Sequence, residues 1–299
     1  MKAIVASKYG APEVLQLQEV EKPTPTANEL LIKVHATTVT AGDFRMRSFT
    51  VPPLLWLPAR IALGLTKPKQ PIFGMELAGE VEAVGKDVRT FKPGNQVFGY
   101  RAESMGTYAE YLCLPENSVM AIKPANMTYE EAAVVPYGAI MALSLLKKAA
   151  IQPGQKVLIN GASGAIGSAA VQIARHLGAE VTGVCGTTRL NFVRSLGAAR
   201  VIDYTKEDFT RNGESYDLVF DILGKSSFSR CQNSLKPNGR YLLASFKMKQ
   251  LVQMLWTSRF GSKKVICALA PGSVEALNSV KALIEVGKIK APIDRSFPM

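Results

Sequence analysis

Short apolar runs with alternating polar positions dominate the first part of the chain. Residues 1–6, 30–36, 79–84 and 96–98 each suit a strand, and Pro93-Gly94-Asn95 marks a turn. Held to about residue 125, this pattern predicts a mostly antiparallel, barrel-like unit. The period then changes. Thr128 with Glu131 reads as a capping box ahead of Ala132, Val135, Ala139, Leu143 and Leu146, which recur at helical spacing. Pro136 inside that run predicts a kink or a helix restart. Pro153-Gly154 precedes the apolar strand Val157-Leu158-Ile159, a glycine turn and a helix over 165–177 with Ile166, Ala170, Ile173 and Leu177 on one face. Strands at 181–185, 201–202, 218–222 and 241–244 follow with helices between them, and a strand at 265–269 precedes a helix over 273–286. Strands alternating with helices imply right-handed crossovers and a parallel sheet.

At 299 residues the chain has room for two domains. Its composition, 47% hydrophobic and 20% charged, excludes a disordered or collagen-like chain. No apolar run reaches the roughly 18 residues of a spanning helix. The longest, residues 51–65, is broken by Pro52, Pro53, Pro58 and Arg60, and reads as a buried connector, a substrate lid or a membrane-contacting patch. The N-terminus lacks a signal-like apolar core, and Cys113, Cys185, Cys231 and Cys267 are scattered, as are His35 and His176. Free thiols and a cytoplasmic location are the expectation. A net charge of +12 favours anionic partners in general, but the basic residues are spread along the chain and nucleic acid is not expected. They are densest from Lys247 to Lys264, interleaved with Leu251, Met254, Leu255, Trp256 and Phe260. Two readings of that stretch stay open: a cleft-covering helix, or one giving peripheral contact with an anionic membrane.

The segment Gly161-Ala162-Ser163-Gly164-Ala165-Ile166-Gly167 leaves a strand and opens a helix. Glycines there allow a tight turn and a close backbone approach to a pyrophosphate, whose charge the helix N-terminus favours. Dinucleotide binding is expected; the alternative is a turn needed only for tight packing. The next strand usually ends in an acid that binds the ribose 2′-hydroxyl of NAD. Here it ends Cys185-Gly186-Thr187-Thr188-Arg189, and hydroxyls with a guanidinium suit a 2′-phosphate. NADPH is the cofactor expected.

Further pieces run nearly end to end: Met1-Lys2-Ala3 with Tyr9-Gly10, Val39-Thr40-Ala41-Gly42-Asp43, Gly74-Met75-Glu76-Leu77-Ala78-Gly79-Glu80-Val81, Pro93-Gly94-Asn95-Gln96-Val97-Phe98-Gly99, Gly106-Thr107-Tyr108-Ala109-Glu110-Tyr111 and Ile202-Asp203-Tyr204. With the glycine turn they resemble the medium-chain dehydrogenase/reductase superfamily, in its zinc-free quinone oxidoreductase branch. Within it they look like bacterial NAD(P)-dependent alcohol dehydrogenase-like proteins and the reticulon-interacting and chloroplast-envelope quinone oxidoreductase homologues. The resemblance implies an α/β fold, with a Rossmann doubly wound parallel sheet plus a GroES-like, mostly antiparallel β-barrel catalytic domain and a cofactor cleft between them. Boundaries are expected at 1–124 for the catalytic domain and 125–262 for the Rossmann domain. Residues 263–299 then hold the last Rossmann strand and the return to the catalytic domain. The resemblance also implies a homodimer formed by that last strand. Relatives continue past Asp294-Arg295 into a further helix and a closing strand, whereas this sequence stops at Met299, as a truncated one would.

By the same resemblance Tyr204 lies near the adenosine 2′-phosphate, Phe220-Asp221 and Leu223-Gly224 beside the nicotinamide ribose, and Ala244-Ser245-Phe246 near the nicotinamide. Thr40 and Met75 stand where the zinc enzymes carry Cys and His ligands, and neither a hydroxyl nor a thioether suits Zn²⁺. What is left is hydride transfer to a quinone or an α,β-unsaturated carbonyl, the enolate being protonated by water or a tyrosine. Tyr100, Tyr108 and Tyr137 are candidates, each with a packing alternative. Asp43 matches a cleft position where helix capping explains it equally well. Met141 replaces a common threonine, and Arg189 and Arg194 stand in for a basic residue that has no clear match. Two alternatives are carried: a non-enzymatic NADPH-binding relative of structural or RNA-binding type, and a zinc-dependent alcohol dehydrogenase, which is disfavoured.

Overall fold

The computed structural model describes residues 1–51, 55–101 and 105–299, and its contacts divide the chain into two units. Met1–Pro136 with Ala291–Met299 form the first, and Tyr137–Lys290 the second. Pro52, Pro53 and Leu54 of the expected lid or connector lie outside the described residues.

In the first unit β1 (Lys2–Ala6) pairs antiparallel with β2 (Leu15–Glu19). Then come β3 (Glu29–Thr37), α1 (Ala41–Ser48), α2 (Trp56–Leu63), β4 (Glu76–Val84), β5 (Gln96–Tyr100), β6 (Tyr111–Pro115), β7 (Met120–Ile122) and α3 (Tyr129–Ala133). Five of the strands make an antiparallel sheet in the order β6-β3-β4-β5-β7. Leu30, Ile32, Leu77, Val81, Val97, Leu112 and Leu114 build its core, and the two-residue period that marked these strands is what turns their apolar side chains to one face. Gly79 is needed where β3 and β4 meet, because a Cβ there would stand 2.2 Å from the Lys33 carbonyl oxygen.

The capping box at Thr128 forms as expected: Thr128 Oγ1 accepts from the Glu131 amide (3.2 Å) and Glu131 accepts from the Thr128 amide (2.9 Å). Pro136 produces a restart rather than a kink. Helix α3 stops at Ala133 and α4 (Pro136–Ala149) begins on the proline, where no amide proton is required. The contacts of the first unit run on to Pro136. The Tyr129 ring stacks on His35 of β3 with centroids 4.3 Å apart, and this ties α3 to the first unit.

The second unit continues from α4 with β8 (Lys156–Asn160), α5 (Ala165–His176), β9 (Glu180–Cys185), α6 (Leu190–Ser195), β10 (Arg200–Asp203) and β11 (Tyr216–Asp221). It closes with α7 (Phe228–Cys231), β12 (Leu235–Leu243), α8 (Met248–Arg259), β13 (Lys264–Cys267) and α9 (Val274–Glu285). All six strands are parallel, in the order β10-β9-β8-β11-β12-β13. The strand order reverses between β8 and β11, which is the switch point where doubly wound sheets bind ligands at the carboxyl ends of their strands. Val157, Leu158 and Ile159 are all fully buried, consistent with a central strand covered on both faces. Strand β12 starts earlier than the apolar run at 241–244 suggested. Leu235 pairs with Tyr216, then a register shift skips the polar segment before Arg240 pairs with Leu218. Residues 264–290, expected partly in a return segment, complete the second unit, and only 291–299 rejoin the first. The four cysteines are free thiols.

Candidate functional site

Strand β8 ends at Asn160, and Gly161 turns the chain with φ +96°, a conformation that L side chains rarely adopt. The amides of Gly161 and Ala162 both donate to the Val184 carbonyl of β9 (3.1 and 3.0 Å), stitching the turn to the neighbouring strand. Gly164 is the N-cap of α5 and offers its first-turn amides no side-chain acceptor. Gly164 and Ala165 are exposed, Ser163 and Ile166 half-buried. An open N-terminus of this kind carries partial positive charge and suits a phosphate. Gly167 is required for a different reason. A Cβ there would lie 2.1 Å from the Gly161 carbonyl oxygen, so only glycine lets the helix start this close to the turn. By contrast, a Cβ on Gly164 would meet nothing closer than 3.7 Å. Helix α4 approaches the same turn, since a Cβ on Gly138 would sit 2.5 Å from the Ala165 carbonyl oxygen. Met141 lies half-buried farther along α4.

At the outer end of this rim Cys185 and Gly186 lead into a short turn, Thr187–Arg189, all three residues of which are exposed. Asp203 closes β10 directly beside Cys185. The Thr187 hydroxyl donates to Asp203 Oδ2 (2.6 Å), and the Thr205 amide and hydroxyl donate to Oδ1 (3.0 and 2.8 Å). Those hydrogen bonds, Thr187's foremost, hold the Asp203 carboxyl below its ordinary range. Tyr204 is exposed, with its hydroxyl 3.4 Å from where a Cβ of Gly186 would stand. Thr187 and Tyr204 thus come together at this end as the sequence implied, and Thr188 and Arg189 follow Thr187 into solvent. Arg194, one turn on in α6, bonds Asn191 (3.0 Å). Asp203 was missed as part of the site because the sequence rule looks for an acid only at the end of the second strand.

At the switch point Asp221 is fully buried at the end of β11. Its Oδ1 accepts from Asn160 Nδ2 (3.1 Å), and its Oδ2 from the Ser226 amide (2.9 Å) and the Tyr241 hydroxyl (2.8 Å). One carboxylate therefore joins β8, β11, β12 and the loop after β11. Burial, then the Asp221 charge, pushes the Tyr241 phenol well above its ordinary value. In that loop Gly224 has φ +63°, and a Cβ on it would lie 3.1 Å from the Ser245 carbonyl oxygen. A Cβ on Gly161 would in turn lie 3.4 Å from Leu223. Gly161, Asp221, Gly224 and Ser245 are thus gathered at one edge of the sheet. Asn160 and Tyr241 escaped sequence reasoning, since nothing local marks them as partners of Asp221.

The remaining candidates divide between the units. In the first, Thr40 caps α1: its hydroxyl accepts from the Gly42 and Asp43 amides (3.1 and 3.2 Å) and donates to Asp43 Oδ2 (2.6 Å). Asp43 also accepts from the Thr40 and Gly74 amides (2.8 and 3.1 Å), so the buried carboxylate clamps the helix start to the chain before β4. The Met75 thioether covers Gly42, where a Cβ would come within 2.9 Å of its sulfur. A hydroxyl engaged in capping and a thioether do not fit Zn²⁺, and among the described residues no group of three or more His, Cys, Asp or Glu could hold a metal. Tyr108 is buried and donates to the Thr38 carbonyl (3.1 Å). Burial and the Asp43 charge push its phenol far above its ordinary value, so it keeps its proton. Tyr100 ends β5 half-buried, and Tyr137 opens the second unit, also half-buried in α4.

Residues 26–124 match the family described as alcohol dehydrogenase GroES-like domain, and residues 165–277 match zinc-binding dehydrogenase. The whole chain aligns at 33% identity with 91% of a quinone oxidoreductase from Sus scrofa. It aligns at 29% identity with 72% of a 2-methylene-furan-3-one reductase from Solanum lycopersicum. Among solved structures, the Escherichia coli quinone oxidoreductase complexed with NADPH superposes with a TM-score of 0.79 at 26% identity, covering 98% of this chain and 90% of that one. The chain belongs to the medium-chain dehydrogenase/reductase superfamily, in its quinone oxidoreductase branch.

Proposed function

We propose that the protein is a zinc-independent, NADPH-dependent oxidoreductase that reduces a quinone or an α,β-unsaturated carbonyl. The observation that carries this reading is the uncapped N-terminus of α5 behind the Gly161–Gly167 turn, at the switch point of a parallel sheet. Similarity to a quinone oxidoreductase and to an enone-type reductase supports the substrate class.

When bound, the nicotinamide supplies a hydride. The chain's own part is placement. The turn Gly161, Ala162, Ser163, Gly164, Ala165, Ile166 and Gly167 would hold the pyrophosphate at the open N-terminus of α5, the Gly161 and Ala162 amides shaping the turn through Val184 rather than donating to the ligand. Thr187, Thr188, Arg189 and Tyr204 would receive the 2′-phosphate, with no acid at the C-terminal end of β9 to oppose it. Asp221 holds the loop that brings Gly224 close to Ser245, and these would border the nicotinamide ribose. Asp43 and Tyr108 are committed to structure, which leaves water, Tyr100 or Tyr137 to protonate a reduced enone. Zinc independence rests on the donor chemistry of Thr40 and Met75. Strand β13 forms the sheet edge, where a second copy could add its own strand, and a homodimer is proposed there.

The decisive measurement is NADPH oxidation by the metal-free protein with a panel of quinones and enones. Turnover is expected with at least one class. Tight NADPH binding with no turnover on any electrophile would replace this reading with a non-enzymatic binding protein, and activity that appears only with added zinc would restore the metal enzyme.

A further inference from the structure

Helix α8 faces the solvent with the side that a surface helix normally buries. Its inward contacts are few and specific. The buried Thr257 accepts from the Val265 amide (3.0 Å), and Met254 sulfur accepts from the Cys267 amide (3.4 Å). Lys264 closes the C-terminus by donating to the Thr257 and Gly261 carbonyls (2.6 and 3.1 Å). Outward, at helical spacing, stand Met248, Val252, Leu255 and Trp256, with Phe260 just beyond, each at least 58% exposed. The Trp256 and Phe260 rings touch with centroids 4.7 Å apart.

The charge along this stretch of chain has one sign. From residue 222 to residue 274 the chain contains no Asp or Glu, while Lys247, Lys249 and Arg259 stand exposed at the two ends of α8. Aromatic and aliphatic side chains flanked by cations, with no carboxylate to repel an anion, complement the boundary of an anionic bilayer. The anchoring by Thr257, Met254 and Lys264 means the helix is already formed, so binding carries little ordering cost.

We propose that α8 is a peripheral membrane-binding element, placing Leu255, Trp256 and Phe260 in the acyl boundary of an anionic lipid surface while Lys247, Lys249 and Arg259 engage its headgroups. This does not rest on the proposed reaction, since it requires neither cofactor nor substrate.

The test uses the full chain carrying Trp56→Phe, which leaves Trp256 as the sole indole. Phosphatidylcholine vesicles containing phosphatidylglycerol should shift its emission to the blue and co-sediment the protein, and salt should weaken both effects. Pure phosphatidylcholine vesicles should do neither. Lys247→Gln and Lys249→Gln should each weaken binding about fivefold. Leu255→Ser with Trp256→Ser should abolish co-sedimentation while lowering the melting temperature only slightly, because both side chains are largely exposed. Absence of binding to the anionic vesicles, or equal binding to both kinds, overturns the proposal. So does a parent protein that ignores vesicles but either shifts RNA or dissociates from dimer to monomer on the double substitution.

Discussion

The two ends of the parallel sheet's rim are each held by a buried acid, but with partners of different kinds. At the switch point Asp221 is fully buried and takes hydrogen bonds from Asn160, Ser226 and Tyr241, so its removal strands polar groups in the interior. At the outer end Asp203 is met by two threonines on a solvent-facing turn. The first acid builds the frame on which the glycine turn rests. The second ties the end of β10 to the exposed turn that begins at Thr187. Under the proposed function, rigidity and cofactor choice are separated along this single edge.

That contrast yields a graded set of outcomes. Asp221→Ala should cost the most, about 3 kcal/mol of stability, because it leaves buried donors unpaired; urea unfolding reads this directly. Next, Gly167→Ala forces a Cβ into the Gly161 carbonyl and should destabilise the turn by about 2 kcal/mol, raising the Kd for NADPH at least tenfold. Gly164→Ala, whose Cβ has open space, serves as its control, and equal effects of the two would contradict the packing argument. A smaller change is expected at the outer end. Asp203→Asn removes a negative charge beside the proposed 2′-phosphate site, and should raise the NADPH-to-NADH affinity ratio about fivefold with little loss of stability. An unchanged ratio would detach Asp203 from cofactor choice.

The smallest effect at neutral pH concerns the buried phenols. Tyr241 and Tyr108 hold their protons in the folded state far more tightly than usual. The unfolded chain releases them near pH 10. Stability contributed by this difference is fully present below about pH 10 and is lost as pH rises further, since only the unfolded state then sheds protons. Thermal melts from pH 7 to 11 should be flat in this respect up to about pH 10 and then decline, and Tyr108→Phe should soften that decline.

Much of the fold was legible because its determinants are local. The switch from two-residue to helical period, the Thr128 capping box and the restart at Pro136 each arise within a few residues. The glycine turn was equally readable, since Gly161 needs its backbone angle whatever surrounds it. That α3 stays with the first unit was not legible, because His35 and Tyr129, which stack to hold it there, lie far apart in the chain. Asp221 could be named by family resemblance, yet its partner Asn160 is 61 positions away and carries no local mark.

The sequence by itself determined many of the segments that become strands and helices, the glycine turn that precedes α5, and that Thr40 and Met75 are poor metal donors. Those properties belong to single residues or short windows. Only the tertiary structure decided that Asp203 takes the Thr187 hydroxyl, that Gly167 is indispensable while Gly164 is not, and that α8 turns Trp256 outward. Each of these depends on which distant backbone or side chain arrives at the spot, and the packing of parallel strands, rather than any local propensity, sets that arrival.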